Sequence, residues 1–182
     1  MLPYFHRIDR SEMIRKPSPD DLQKMVTTPM RNGDGFRFDV FERMFFAYRD
    51  FTRGPDIVLA DFGFGRAHHR VLYFVNRSPG IRVTELLDIL AITKQSLARV
   101  LKQLLETDFI IQQESAEDRR ARLLFPTKKG RELALELSRS QSRRIDEAME
   151  ILGPVGAEAA KQFLELLIND ADQATIRKLE EN

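Results

Sequence analysis

The fifty residues from Ile81 to Gly130 constrain the fold more than any other part of the chain, because their hydrophobic period changes several times within a short length. After Thr93 no Gly or Pro interrupts the sequence until Pro126, and Leu97, Val100, Leu101, Leu104 and Leu105 fall at i, i+3, i+4, i+7 and i+8. That spacing makes one apolar stripe on a helix, and the stripe must pack against something. Thr93 is placed to accept a hydrogen bond from the first-turn amides as the N-cap. Upstream, Val83, Leu86, Leu87 and Leu90 form the stripe of a preceding helix, with Glu85 and Asp88 turned outward. The link Leu90-Ala91-Ile92-Thr93 is short enough to force a sharp angle, as in a helix-turn-helix unit. Such turns often place Gly where the backbone becomes left-handed. Ala91 stands there, and a positive φ would cost it about 1 kcal/mol, so a different turn conformation is expected.

Downstream the helical spacing ends. Phe109 to Gln113 and Arg122 to Phe125 are β-prone runs joined by the charged segment Glu114 to Ala121, which reads as an antiparallel hairpin with a projecting tip. From Thr127 to Leu152 a long helix carries Leu133, Leu137, Ile145, Met149 and Leu152, until Gly153-Pro154 ends it. A second helix from Val155 carries Ala159, Phe163, Leu166, Leu167, Ala171 and Ala174 toward the C-terminus. The expected fold is mainly α with a small antiparallel β-hairpin wing: a winged helix-turn-helix plus a helical dimerisation region.

Opposite its apolar stripe, the helix after Thr93 presents Lys94, Gln95, Ser96, Ala98, Arg99, Lys102 and Gln103. A major-groove reader needs such a set, since Arg can bond guanine in bidentate fashion, Gln can bond adenine, and a small side chain permits close approach. An ordinary solvated face has a similar composition; the adjoining hairpin favours DNA. In its tip, Glu117-Asp118-Arg119-Arg120 lets Asp118 brace one Arg while another projects. Narrow A·T-rich minor grooves attract inserted Arg, giving Arg119, Arg120 and Arg122 a physical target.

Net charge is only +1, but nine basic and five acidic side chains lie between Lys94 and Arg131, a local charge of +4. A local positive field is what phosphate contacts require. Zero Cys excludes disulfides, Cys-ligated zinc and thiol redox sensing. No apolar run approaches membrane-spanning length and the first residues lack a secretory apolar core, so a cytoplasmic protein without membrane association is expected. The chain has no Walker loop, no G-x-S-x-G and no H-E-x-x-H, so catalysis and a cofactor are not expected. The adjacent His68 and His69 point about 100° apart on a helix, which argues against a shared metal. The competing reading is a winged-helix protein-interaction or assembly module, which would not need Arg119 and Arg120 beside a basic helix face.

Residues Glu117-Asp118-Arg119-Arg120, followed by Pro126-Thr127-Lys128-Lys129-Gly130, resemble the multiple-antibiotic-resistance regulator (MarR) family, whose wing typically reads D-D-R-R and then L-T-x-x-G. The resemblance is specific over about fifty residues and looser over 36–180. Ala91 and Asp108 depart from it, both standing where the family commonly has Gly. It implies that the aromatic-rich segment Phe36 to Phe51 and the two C-terminal helices interlock between subunits, with Phe41, Phe45, Leu152, Phe163 and Leu167 in a homodimer interface. A two-fold dimer would read a pseudo-palindrome in double-stranded DNA, with recognition helices about 34–36 Å apart. The resemblance further implies a pocket for a small aromatic effector near Tyr48, His68, His69 and Tyr73. The expected organisation is an N-terminal extension at 1–35, support helices at 36–80, the DNA-binding lobe at 81–130 and dimerisation helices at 131–182.

Overall fold

The computed structural model describes residues 20, 31, 35–115, 118 and 121–180. Nine elements follow in order among these residues: α1 (Phe38–Ala60), α2 (Arg66–Arg77), β1 (Ile81–Arg82), α3 (Val83–Leu90), α4 (Lys94–Glu106), β2 (Ile110–Glu114), β3 (Arg122–Pro126), α5 (Lys128–Leu167) and α6 (Asp170–Glu180). The chain divides into two units, Met1–Met44 and Phe45–Asn182, with the boundary inside α1. In the first unit the rings of Phe36, Phe38 and Phe41 follow one another at 5.4 and 6.1 Å. There Arg37 pairs with Asp39 at 3.2 Å, which raises the guanidinium pKa and lowers that of the carboxyl. The reading of 1–35 as an extension falls almost wholly outside the described residues.

In the second unit the core is assembled from the stripes of α2, α3 and α4, the hairpin strands and the first turns of α5. Leu72, Leu86, Leu104, Leu124 and Leu137, from α2, α3, α4, β3 and α5, are fully buried together. Each such burial contributes about 1.5–3 kcal/mol, so the helix-turn-helix is held by its neighbours rather than by its short helices alone. Thr93 caps α4 as expected, its hydroxyl accepting from the Ser96 amide at 3.1 Å. Thr127 does the same for α5, accepting from the Gly130 amide at 3.0 Å.

The sheet has three strands rather than the two of a simple hairpin, in the order β1-β3-β2 and antiparallel throughout. Ile81 pairs with Leu124 and Glu114 with Arg122, so β1 ties the start of the helix-turn-helix to the wing. Ala91 corrects the expectation for the turn: it is left-handed, with φ 49° and ψ 41°. The flanking Leu90 is buried and Ile92 packs on the same core, so tertiary contacts override the local strain. Asp108 is also left-handed, with φ 58°.

Two further points differ from the sequence reading. Helix α1 runs on through Pro55 to Ala60. Proline has no amide to give to the carbonyl one turn back, and the side-chain amide of Gln141, on α5, donates to that carbonyl, Phe51 O, at 3.4 Å. In α5, Gly153 breaks the helical path with φ 68° and ψ 174°, as Gly153-Pro154 foretold. A second break follows at Ile168, after which Asn169 caps the separate helix α6 by accepting from the Asp172 amide at 3.0 Å.

Candidate nucleic-acid interface

Helix α4 buries Leu97, Val100, Leu101 and Leu104, and this fixes what faces outward. Lys94, Gln95, Ser96, Ala98, Arg99 and Lys102 are all exposed. Spacing by four places Lys94, Ala98 and Lys102 in one row and Gln95 and Arg99 in the next. Most of this face is unengaged. Ser96 bonds to its own N-cap at 2.9 Å and Lys102 pairs loosely with Glu106 at 3.7 Å. The charge order runs against helix stability, since α4 has Lys94 but no acid in its first turn and no base in its last. A cation at a helix N-terminus is disfavoured by about 0.3–1 kcal/mol, so Lys94 does not serve the stability of α4. At the other end the missing cation comes from α5, where Lys129 donates to Thr107 O at 2.9 Å and lies 4.2 Å from the centre of the Phe109 ring. Lys129 therefore belongs to the fold rather than to an outward field.

Arg119 and Arg120, the expected minor-groove residues, lie outside the described residues. Asp118 is exposed and lines the cleft beside α4; its carbonyl accepts from the Ala121 amide at 2.8 Å and its amide approaches Ser115 Oγ at 3.4 Å. Arg122 pairs across the strands with Glu114 at 2.8 Å, at the neck of the hairpin. Between α3, α4 and the hairpin lies a cleft of about 870 Å³, with Leu97 and Leu101 in its floor and Arg82, Lys94, Lys102 and Arg122 around it. Arg82 and Gln112, which also line it, were missed in the sequence because neither belongs to a periodic stripe.

Gln103 departs from the expectation that it belongs to the solvated face. It is half-buried and turned toward α2, where it meets His68 Nε2 at 2.9 Å. Of the residues suggested for an effector pocket, Tyr48 and His69 both lie near the Arg66–Asp56 pair, whereas His68 and Tyr73 have other partners. His68 stacks on Phe64 with ring centres 4.7 Å apart. Tyr48 lies 5.7 Å from the Arg66 guanidinium, which is bound to Asp56 at 2.8 Å. Tyr73 is exposed beside Phe74, 5.2 Å away. His69 is half-buried, and burial holds its imidazole below the usual pKa of 6.5 against the opposing pull of Asp56, with Arg70 adding to the depression. Among the described residues no three His, Asp or Glu side chains gather in a way that would hold a metal ion. No helix among them is long and apolar enough to cross a membrane.

Comparison with known proteins places this arrangement. Residues 62–121 match the model of the MarR family. The chain is 41% identical over 155 residues to the HTH-type transcriptional regulator PetP of Rhodobacter capsulatus, covering 85% of this chain and 89% of that protein. Its fold is similar to that of a putative MarR family transcriptional regulator from Listeria monocytogenes complexed with 26mer DNA, with TM-score 0.61 and 20% identity over 70% of this chain and 85% of that one. It is also similar to the transcriptional repressor CouR bound to a 23-mer DNA duplex, with TM-score 0.60 and 22% identity over 78% of this chain and 98% of that one. The extent of the match to PetP, together with the family model over the helix-turn-helix, decides the assignment: the chain belongs to the MarR family of transcriptional regulators.

Proposed function

We propose that this chain is a sequence-specific DNA-binding regulator acting as a homodimer on a pseudo-palindromic site, with α4 in the major groove and the β2–β3 wing over the adjacent minor groove. The observation that carries the reading is the exposed, largely unengaged row of Lys94, Gln95, Ser96, Arg99 and Lys102 on a helix whose other side is wholly committed to the core. The cleft between α4 and the wing suits the sugar-phosphate strand that separates the two grooves, since Arg82, Lys94, Lys102 and Arg122 outnumber the acidic Glu106 and Asp118 in its lining. Proteins of similar fold, the Listeria regulator and CouR, are bound to duplex DNA, which supports DNA as the partner.

Dimerisation is supported by apolar side chains that a lone chain leaves in water. Phe41, Phe45, Leu152, Phe163 and Leu167 are each between 46% and 65% exposed. So much exposed large apolar surface marks an interface rather than a finished monomer surface. A regulator of this kind works in the cytoplasm and needs no catalytic group. For control by a small aromatic molecule, Tyr48, His69 and Tyr73 are the candidate contacts, since His68 is committed to internal partners.

Titration of fluorescent random duplex DNA at low salt tests the reading. Micromolar retention that weakens steeply with added salt is expected, and a competitive selection from the same pool should yield a two-fold symmetric sequence. Absence of retention at low salt would instead support an assembly module.

A further inference from the structure

We propose that His68 and Gln103 form a latch fixing the rotation of α4 about its own axis, which makes both of them positioning residues for base reading. The proposal rests on α4 being the reading helix.

The hydrogen-bond roles follow from one unambiguous donor. The Gly65 amide donates to His68 Nδ1 at 3.1 Å, and a main-chain amide can only donate, so Nδ1 carries no proton. The neutral ring therefore bears its proton on Nε2 and donates to Gln103 Oε1 at 2.9 Å. With its oxygen so engaged, Gln103 presents its amide nitrogen to Gly63 O at 3.5 Å. Each role forces the next, and the chain closes from the α1–α2 loop through the reading helix and back to the loop. The imidazole is also held flat on Phe64, with 6° between the planes, and Phe64 sits edge-on to the buried Phe109 at 5.2 Å.

Directionality gives this contact a role the apolar stripe cannot fill. Leu97, Val100, Leu101 and Leu104 hold α4 against the core, but apolar packing is non-directional and tolerates small rotations. Gln103 continues the row that begins with Gln95 and Arg99, so a rotation at Gln103 is a rotation of both candidate readers. At a side-chain radius of about 5–6 Å, a turn of roughly 10° moves a tip by about 1 Å. That displacement exceeds the window of about 0.5 Å within which a hydrogen bond to a base edge remains good. Phosphate contacts through long Lys and Arg side chains tolerate it.

The test separates the latch from the capping of α2. In His68→Asn the shorter side chain keeps an oxygen for the Gly65 amide but no longer reaches Gln103. Gln103→Met keeps the length and loses both bonds. Each variant and the double variant would be compared with the parent protein for binding a duplex that the parent has selected from a random pool, against a scrambled duplex of equal composition. The expected result is a melting temperature close to the parent's, a loss of about three- to ten-fold per half-site on the selected duplex, and unchanged binding to the scrambled one. The double variant should be no worse than the worse single variant, and the imidazole nitrogen spectrum of the parent should show Nδ1 unprotonated and Nε2 protonated. A parent that selects a sequence, with His68→Asn and Gln103→Met keeping the same preference, overturns the latch. An additive double variant or an Nδ1-protonated ring does so too. A parent that shows no sequence preference overturns the underlying reading of α4, and the latch with it.

Discussion

The main chain of Gly130 passes so close to the carbonyl oxygen of Phe109 that a β-carbon on Gly130 would overlap it. Phe109 ends the turn after α4 and Gly130 lies in the first turn of α5, so the contact joins α4, the β2–β3 hairpin and the long helix at one point. The same carbonyl accepts from the Thr127 amide at 3.2 Å, while the Thr127 hydroxyl donates to the neighbouring Asp108 carbonyl at 2.7 Å. The spacing of Thr127 and Gly130 thus has a mechanical meaning: the hydroxyl pulls the strand end in, and the missing side chain lets it come.

Gly130→Ala is therefore expected to destabilise the protein by at least about 3 kcal/mol, since the clash is with backbone that cannot rotate away. Urea unfolding measures it. A loss under about 1 kcal/mol would mean that α5 shifts without cost.

Ala91→Gly should act in the opposite direction. Relief of the left-handed conformation, less the greater entropy of Gly in the unfolded chain, predicts stabilisation of about 0.5–1 kcal/mol. The same melts decide it, and a neutral or destabilised variant would show that the turn is unstrained.

Acid should weaken the fold through His69. Its folded pKa is depressed below 6.5, so the unfolded chain binds the proton more readily. The stability it contributes is fully present above about pH 6.5 and is lost as the pH falls through the folded value. The urea midpoint should drop between pH 7.5 and pH 5, and His69→Gln should flatten part of that slope. An identical slope in the variant would remove His69 from the effect.

Reading and affinity should separate on the DNA side. Gln95→Ala is expected to cost about 1–3 kcal/mol on a selected site and little on scrambled DNA. Replacing Arg119 and Arg120 together by Ala should weaken both, lowering the slope of log K against log salt by about 0.9 for each phosphate that is no longer neutralised. Equal weakening of both sites by Gln95→Ala, or an unchanged salt slope in the double variant, would contradict these roles.

Much of the lobe was legible because its signals are local. The stripes of α3 and α4, the cap Thr93 and the break at Gly153 each depend on residues within about two turns. Gln103 was not legible: its place in the row with Gln95 and Arg99 looks solvated, and only His68, 35 residues earlier, draws it inward. Strand β1 is two residues long, too short to show a period. The break at Ile168 was hidden by Ala171 and Ala174, which prolong the apolar spacing, although Asn169 followed by Asp172 is a cap signature. Ala91 was misjudged because a local cost was weighed without the packing that outweighs it.

The stand-in for the amide that Pro55 lacks makes the pliancy of α1 the property of another helix. The Phe51 carbonyl would otherwise turn to water, and a carbonyl released to solvent on one side is the usual seed of a bend. The side chain that keeps it bonded, Gln141, is 90 positions away in sequence. Whatever draws α5 off this spot, a partner subunit or a bound molecule, also frees α1 to flex at Pro55, so the two helices cannot respond to such an event independently.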